Sequence, residues 1–464
     1  MKIGLLSLGC PKNLVDGEVM LGLAREAGHE ITPDAAAADV IVVNTCAFID
    51  NAKQESVNAI LEMGALKTPG TRLVVTGCLA ERYGDELRRE MPEIDAVLGT
   101  GDVPDVLQVL QGGSRPGADG AVPLRLFAKA RGARAAETGS HVPPTYIYDA
   151  DTPRLRTTPA HYAYVKIAEG CDYTCAFCII PTLRGAYRSR TIDSIVREAH
   201  QLAAQGVREL LLVSQDTSFY GIDRGERGGL AKLLHALNGV EGLTWIRLLY
   251  LYPTTITDDV LDAMAECEKV CRYVDLPLQH ASAAVLKRMR RPGHRGVYDR
   301  LLQRIRARVP GVTLRTTFIV GFPGETAEDF AELERFVTET AFDHVGVFTY
   351  SHEEGTRAFS LRDDVPAGVK RARQTRLMSR QRQIVAASQR RRVGDVIDIL
   401  VDGPSPEHEL VLQGRTEGQA PDIDAVVYLT DCSADDFRPG QLIRSTVVEA
   451  RGYDLVATPA AVPA

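Results

Sequence analysis

Cys171, Cys175 and Cys178 stand in C-x3-C-x2-C spacing within the segment EGCDYTCAFC. Thiolates are soft ligands, and three this close in sequence can each take one iron of a cubane iron–sulfur cluster. No fourth ligand is evident nearby, so one iron would stay open to a small molecule, much as an open zinc position binds water or substrate. The alternative is a zinc knuckle or buried free thiols. Zinc normally takes four ligands, often as two close pairs, and the nearest histidines, His161 and His200, lack knuckle spacing.

Cys10, Cys46 and Cys78 are dispersed, 36 and 32 residues apart. Each directly follows a short run that reads as a strand: LLSLG before Cys10, VVNT before Cys46, VVTG before Cys78. In an open parallel sheet the C-terminal strand ends face one crevice, where ligands bind. Three thiols placed there would converge on a second cluster. A single cysteine at a strand end is otherwise read as core packing. Cys267 and Cys271, four apart on a helix expected from near Thr257, and Cys432 are given no role.

The surrounding elements alternate. Strands are expected at Ile3–Gly9, Val40–Thr45 and Leu73–Gly77, with helices from about Leu14, Asn51 and Ala80, a βα pattern that implies an open parallel α/β sheet. Residues 113–156, rich in Gly, Pro, Ala and Arg, read as a linker, with strand pairing around Pro123–Phe127. Further strands are expected at Tyr162–Ile167, Glu209–Ser214, Trp245–Leu251, Tyr273–Pro277, Arg315–Val320 and His344–Tyr350. Helical patterns such as Thr191–Gln205 and Glu325–Thr340 lie between them, as in a partial (β/α) barrel. Val369–Arg392 reads as a basic helix, and four alternating runs after Gly394 suggest a small all-β barrel.

The chain has 464 residues, 45% hydrophobic and 25% charged, which excludes a mainly disordered protein. Nine cysteines at this length do not make a disulfide scaffold. No apolar run reaches the roughly 18–20 residues of a membrane span. The start, MKIGLLSLGCPKN, breaks at Pro11 before a secretory core could form, so a cytoplasmic location is expected.

With Phe177, the first triad forms C-x3-C-x-aromatic-C, which resembles the radical S-adenosylmethionine enzymes. Three upstream cysteines, this motif and a small β-domain together resemble the methylthiotransferases of that superfamily. The likeness covers nearly the whole chain. The wording of LGCPKNLVDGE, VNTCAFIDNAKQES, VTGCLAERY, DLPLQHAS and YSHEEGTRA is similar to the branch that modifies a ribosomal protein. Gly17 departs from the Ser common at that place. The resemblance implies a methylthiotransferase N-terminal domain (1–112), a linker (113–156), a radical core (157–388) and a TRAM domain (389–458). It implies two [4Fe–4S] clusters, one on Cys171, Cys175 and Cys178 with S-adenosyl-L-methionine at its open iron, and one on Cys10, Cys46 and Cys78. Reductive cleavage at the first would give a radical that abstracts hydrogen. Sulfur at the second would be methylated and delivered to the β-carbon of an aspartate in small-subunit ribosomal protein S-twelve. An electron donor is implied as a partner.

The resemblance also puts Phe177 near the adenine, with core packing as the alternative. TFIVGFPGE (Thr317–Glu325) resembles the adenine-supporting strand but departs from its stricter form; alone it is a strand end and a helix start. Gln279 and His280 end a strand and are expected at the barrel mouth. His352, Glu353 and Glu354 are expected in an exposed polar loop, with substrate contact as the alternative.

Charge separates two substrates. Residues 394–464 hold thirteen acids and four bases within a chain of net charge −7. Such a domain would repel a phosphate backbone and attract a basic protein. Asp422, Asp424, Asp435 and Asp436 are expected in exposed turns. The nine Lys/Arg between Lys370 and Arg392 point to a ribosomal RNA contact, or to a solvated helix face. Methylthiolation of a tRNA adenosine is the alternative function. An iron–sulfur electron carrier or scaffold is the alternative from another class.

Overall fold

A computed structural model describes residues 1–112 and 144–460. The strand expected at Pro123–Phe127 therefore lies outside the described residues. The first unit runs β1 (Lys2–Ser7), α1 (Pro11–Glu26), β2 (Glu30–Ile31), β3 (Val40–Thr45), α2 (Asp50–Ala65), β4 (Arg72–Gly77), α3 (Cys78–Glu90), β5 (Ala96–Leu98) and α4 (Val106–Leu110). Its strands pair in parallel in the order β2-β1-β3-β4-β5. β3 is buried along its whole length and β4 nearly so, which is why both read as unbroken apolar runs.

The second unit continues β6 (Tyr162–Lys166), β7 (Ala168–Glu169), α5 (Ile180–Arg184), β8 (Arg188–Ser189), α6 (Ile192–Ala204), β9 (Glu209–Val213), α7 (Gly229–Asn238), β10 (Trp245–Leu248) and α8 (Asp258–Glu266). It then runs β11 (Tyr273–Asp275), α9 (Ala283–Arg288), α10 (Arg295–Arg308), β12 (Thr313–Val320), α11 (Ala327–Thr340), β13 (His344–Thr349) and α12 (Ala367–Arg391). β6, β9 and β10 form one parallel trio and β11, β12 and β13 another, linked by the parallel bridge Ile246–Val270. The result is the expected partial barrel. α8 stops at Glu266, so Cys267 caps the helix and Cys271 lies beyond it, rather than both sitting on one helical face. α11 opens with a full capping box between Thr326 and Asp329.

The third unit is a closed barrel of β14 (Val396–Ser405), β15 (His408–Arg415), β16 (Val427–Leu429), β17 (Leu442–Arg451) and β18 (Asp454–Pro459), ordered β14-β15-β16-β18-β17. β18 had no counterpart among the expected strands. Without it the barrel would keep an open edge.

This small barrel is bolted to the radical core by charges. Glu209 pairs with Arg247 at 2.7 Å and with Arg415 at 2.7 Å, and the Glu209 side chain is fully buried. Asp402 adds a second carboxylate to Arg415 at 2.9 Å and accepts from His161. Two of the aspartates expected in exposed turns belong to this junction. Asp424 is buried against Arg315 and His344 and accepts from the Tyr273 hydroxyl at 2.6 Å. Asp422 accepts from the hydroxyls of Tyr162 and Tyr164. Turns are usually exposed, as Asp422 is here, but the Asp424 side chain is buried against another domain.

Replacing Glu209 by Gln would strand the Arg247 guanidinium without a carboxylate. Losing one partner of a buried pair costs about 3–5 kcal/mol. Denaturant unfolding should show a loss of that size for Glu209→Gln, against a change within about 0.5 kcal/mol for Glu407→Gln on the exposed face.

Candidate active site

The loop carrying Cys171, Cys175 and Cys178 is clasped by the antiparallel pair β7–β8, with Glu169 opposite Arg188. Gly170 lies at φ +88°, and a Cβ there would meet the Ala186 carbonyl oxygen at 2.1 Å, so only glycine lets the loop turn back. Cys171 N donates to Gly185 O, and Ala176 N donates to Met289 O at 2.8 Å. All three cysteines line one cavity of about 740 Å³, with Tyr173, Arg188 and Arg357 also on its wall. Burial pushes the Cys171 thiol up to about 11 and Cys178 up to about 12, and each also feels the Cys175 charge. Such thiols ionise only when a cation takes the proton's place, as a coordinating metal does. Among the described residues, no set of three or more His, Cys, Asp or Glu side chains converges on a single ion. Thiolates that each bind a different iron surround a cluster instead of meeting at a point.

Phe177 is half-buried and does not line that cavity. It packs against a small cluster that includes Ala176, Met289, Phe322 and Tyr350.

The second triad sits where the first sheet ends. Cys10 is the N-cap of α1, Cys46 directly follows β3, and Cys78 is the first residue of α3. β1, β3 and β4 are neighbours, so these positions crowd together. A Cβ on Gly9 would lie 2.8 Å from Cys46 Cβ. Burial pushes the Cys78 thiol up to about 12; Arg184 opposes that, and Cys10 and Cys46 add to it. Asn13 Nδ2 donates to Leu8 O and Thr45 O, tying two of the strand ends together.

Charged residues join the two triads. Lys166 reaches Asp16 and Glu169 at 2.5 Å each, and Arg184 reaches the same two carboxylates. Arg184 also donates to Asn13 Oδ1 at 3.1 Å and lies 3.7 Å from Cys78 Sγ. All four ionic side chains are buried. A second joint corrects the expectation of an exposed polar loop: Glu353 is 1% exposed and pairs with Lys53 at 2.8 Å and Arg82 at 3.0 Å, from α2 and α3. A third uses the segment before β6. Arg154 bridges Glu18 of α1 and Glu198 of α6, and Pro153 passes so close to Gly22 that a Cβ there would lie 2.4 Å from its carbonyl oxygen. Sequence reasoning singled out Glu353 only as part of a polar loop and missed the other charged residues of these joints, because lone charged side chains ordinarily belong to the surface.

His280 is likewise not open at the mouth, whereas Gln279 is half-buried. His280 is fully buried, and its Nδ1 accepts from Ser282 N at 3.0 Å. Glu325, in the TFIVGFPGE segment, caps the turn after β12 through Gly321 N and Phe322 N and pairs with Arg373.

A half-open parallel barrel with three cysteines around a cavity at its strand ends defines a radical S-adenosylmethionine enzyme. The family descriptions agree: the uncharacterized protein family UPF0004 matches residues 2–99, the radical SAM superfamily residues 165–337 and the TRAM domain residues 393–459. The chain is 46% identical to ribosomal protein uS12 methylthiotransferase RimO of Koribacter versatilis, over 98% of this chain and 96% of that one. It is 47% identical to the RimO of Pelotomaculum thermopropionicum, over 98% of both chains. The chain belongs to the RimO family of radical S-adenosylmethionine methylthiotransferases. The fold is similar to that of TsrM from Kitasatospora setae, a radical S-adenosylmethionine methyltransferase, with TM-score 0.54 and 16% identity over 75% of this chain and 72% of that one. No described helix is long and apolar enough to cross a membrane. The family implies an iron–sulfur cluster and S-adenosylmethionine, and three thiols on the wall of one cavity fit that pair.

His280 supplies a pH test. Burial pushes its imidazole down to about 3; Asp329 opposes that, and Arg288 and Arg373 reinforce it. Its Nε2 has no hydrogen-bond partner, and Glu325 lies 4.0 Å away. The unfolded chain takes up this proton near pH 6.5, whereas the folded protein resists it until about pH 3. The stability that neutral His280 contributes is thus complete above pH 6.5 and falls as pH drops through that window. Between pH 6 and 5, wild-type protein should lose about 1 kcal/mol more than His280→Gln, measured by urea unfolding.

Proposed function

We propose that this chain methylthiolates the β-carbon of an aspartate in small-subunit ribosomal protein uS12, using a cluster at each triad. The observation that carries the reading is the pair of cysteine triads, one at the strand ends of the open sheet and one on the barrel's cavity wall, joined by the Asp16, Lys166, Glu169 and Arg184 ion group. When bound, the first cluster with S-adenosylmethionine supplies hydrogen abstraction, and the second supplies a methylated sulfur. The protein's residues do the rest. The Cys171–Cys178 loop lines the cavity. Asp16, Arg184 and Glu353 hold the first sheet against the barrel. The domain boundaries proposed are 1–112, 157–388 and 389–458, and Phe177 is proposed to support the adenine from behind the motif.

The substrate reading is supported by the names of the relatives and by charge. Three of the thirteen C-terminal acids, Asp402, Asp422 and Asp424, face the radical core. Glu407, Glu409, Asp431, Asp435 and Asp436 are exposed and leave an acidic outer face suited to a basic ribosomal protein. On α12, Arg371, Arg380, Arg382 and Arg390 are exposed and suit a ribosomal RNA contact. An external one-electron donor is required.

Anaerobically reconstituted protein should hold about eight irons. Replacing Cys171, Cys175 and Cys178 by Ala should halve that. Cys46→Ala should retain reductive cleavage of S-adenosylmethionine yet transfer no methylthio group to uS12, whereas Cys175→Ala should lose both activities. Full iron in the triple variant, or equal loss of cleavage in both single variants, contradicts the reading. Reversing Glu407, Glu409 and Asp435 to Lys should weaken uS12 binding and its dependence on salt while sparing cleavage.

A further inference from the structure

Arg291 is a buried cation. It is 8% exposed, and among the described residues no carboxylate forms an ion pair with it. Its Nη2 donates to Pro277 O, its Nε has no partner, and its guanidinium lies over the Tyr252 ring at 4.1 Å. The remaining donor, Nη1, points at Cys175 Sγ, 3.8 Å away. Other buried arginines near the two triads are balanced: Arg184 has Asp16 and Glu169, and Arg190 has Glu198. Burying an unpaired charge is strongly unfavourable, so an anion is expected beside Arg291. The backbone is built to hold it there. Arg290 turns at φ +53°, Arg291 N donates to Leu286 O, and the preceding Met289 carbonyl accepts from Ala176 N, within the cysteine motif itself.

We infer that Arg291 is the counter-charge of the radical cluster and sets its reduction potential through an N–H···S bond to Cys175. The inference rests on the cluster being held by Cys171, Cys175 and Cys178. A thiolate-bound cluster gains one negative charge when it takes up one electron. A fixed guanidinium beside a ligand sulfur stabilises the reduced form more than the oxidised form, and hydrogen bonds to the sulfurs and net charge are what set such potentials. Arg291 is a positioning residue in this account, since it acts through Cys175.

The test is a redox titration of the reconstituted full-length protein with dithionite, followed by electron paramagnetic resonance. The radical cluster is recognised as the signal that changes when S-adenosylmethionine is added. Arg291→Gln should shift the ratio of reduced to oxidised radical cluster at least tenfold toward oxidised, about 59 mV for one electron, and leave the other signal unmoved. Arg291→Lys should shift less, because it keeps the charge. Arg291→Met, which removes the charge along with its burial cost, replaces the Gln variant if that variant does not load iron. A loaded Gln or Met variant with an unshifted potential overturns the inference, as does a Lys variant that shifts as far as the Gln variant. Failure of the underlying site reading is distinct: no signal would then respond to S-adenosylmethionine, and iron would be unchanged when the three motif cysteines are removed.

Discussion

The buried quartet of Asp16, Lys166, Glu169 and Arg184 is the joint on which the other geometry depends. Asp16 projects from α1, the helix that begins at Cys10, and Arg184 ends α5, the helix that begins two residues after Cys178. Two cations and two carboxylates balance one another out of water, and each makes more than one contact. Such a group contributes little net stability relative to an apolar filling, but it is intolerant of displacement, because separating one member leaves a buried charge. That intolerance fixes register between the two sheets.

The other joints follow the same logic. Glu353 with Lys53 and Arg82 closes one side of the interface, and Arg154 with Glu18 and Glu198 closes another. The C-terminal barrel is seated by Glu209 with Arg247 and Arg415 at the N-terminal ends of the radical core strands, away from the cysteine loop. Apolar packing runs within the units and also across their joints, where Ile179 and Leu183 pack with the first sheet and Leu400 and Ala420 with the radical core, and directional charge pairs add to it. The C-terminal strand ends of the first sheet are thereby held toward the barrel, where polar and sulfur-bearing side chains are concentrated.

The main strands were legible because buried parallel strands are continuous apolar runs: Val40–Thr45 and Glu209–Val213 stand out against their flanks. That Cys10, Cys46 and Cys78 follow neighbouring strands was legible from position, and that Cys171, Cys175 and Cys178 share one loop was legible from spacing. β2 and β5 are too short to carry a periodic signal, and β18 mixes Asp, Thr and Pro with only a few apolar residues. The joints were illegible for a different reason. A buried Asp16, Glu353 or Asp424 has the same local sequence as an exposed one, and only the partner across the fold distinguishes them. Reading Asp424 as a solvated turn and Glu353 as a surface loop followed from base composition, and tertiary pairing overrode both.

That the two triads together serve one ribosomal-protein substrate is the central claim, and it is tested most directly in cells. Mass spectrometry of small-subunit proteins and tRNA would be compared between a strain lacking this protein and the same strain carrying wild-type, Cys46→Ala or Cys175→Ala protein. The account predicts that uS12 bears the methylthio group only with the wild-type protein, while tRNA is the same in every strain. Loss of the methylthio group from tRNA with uS12 unaffected would contradict it.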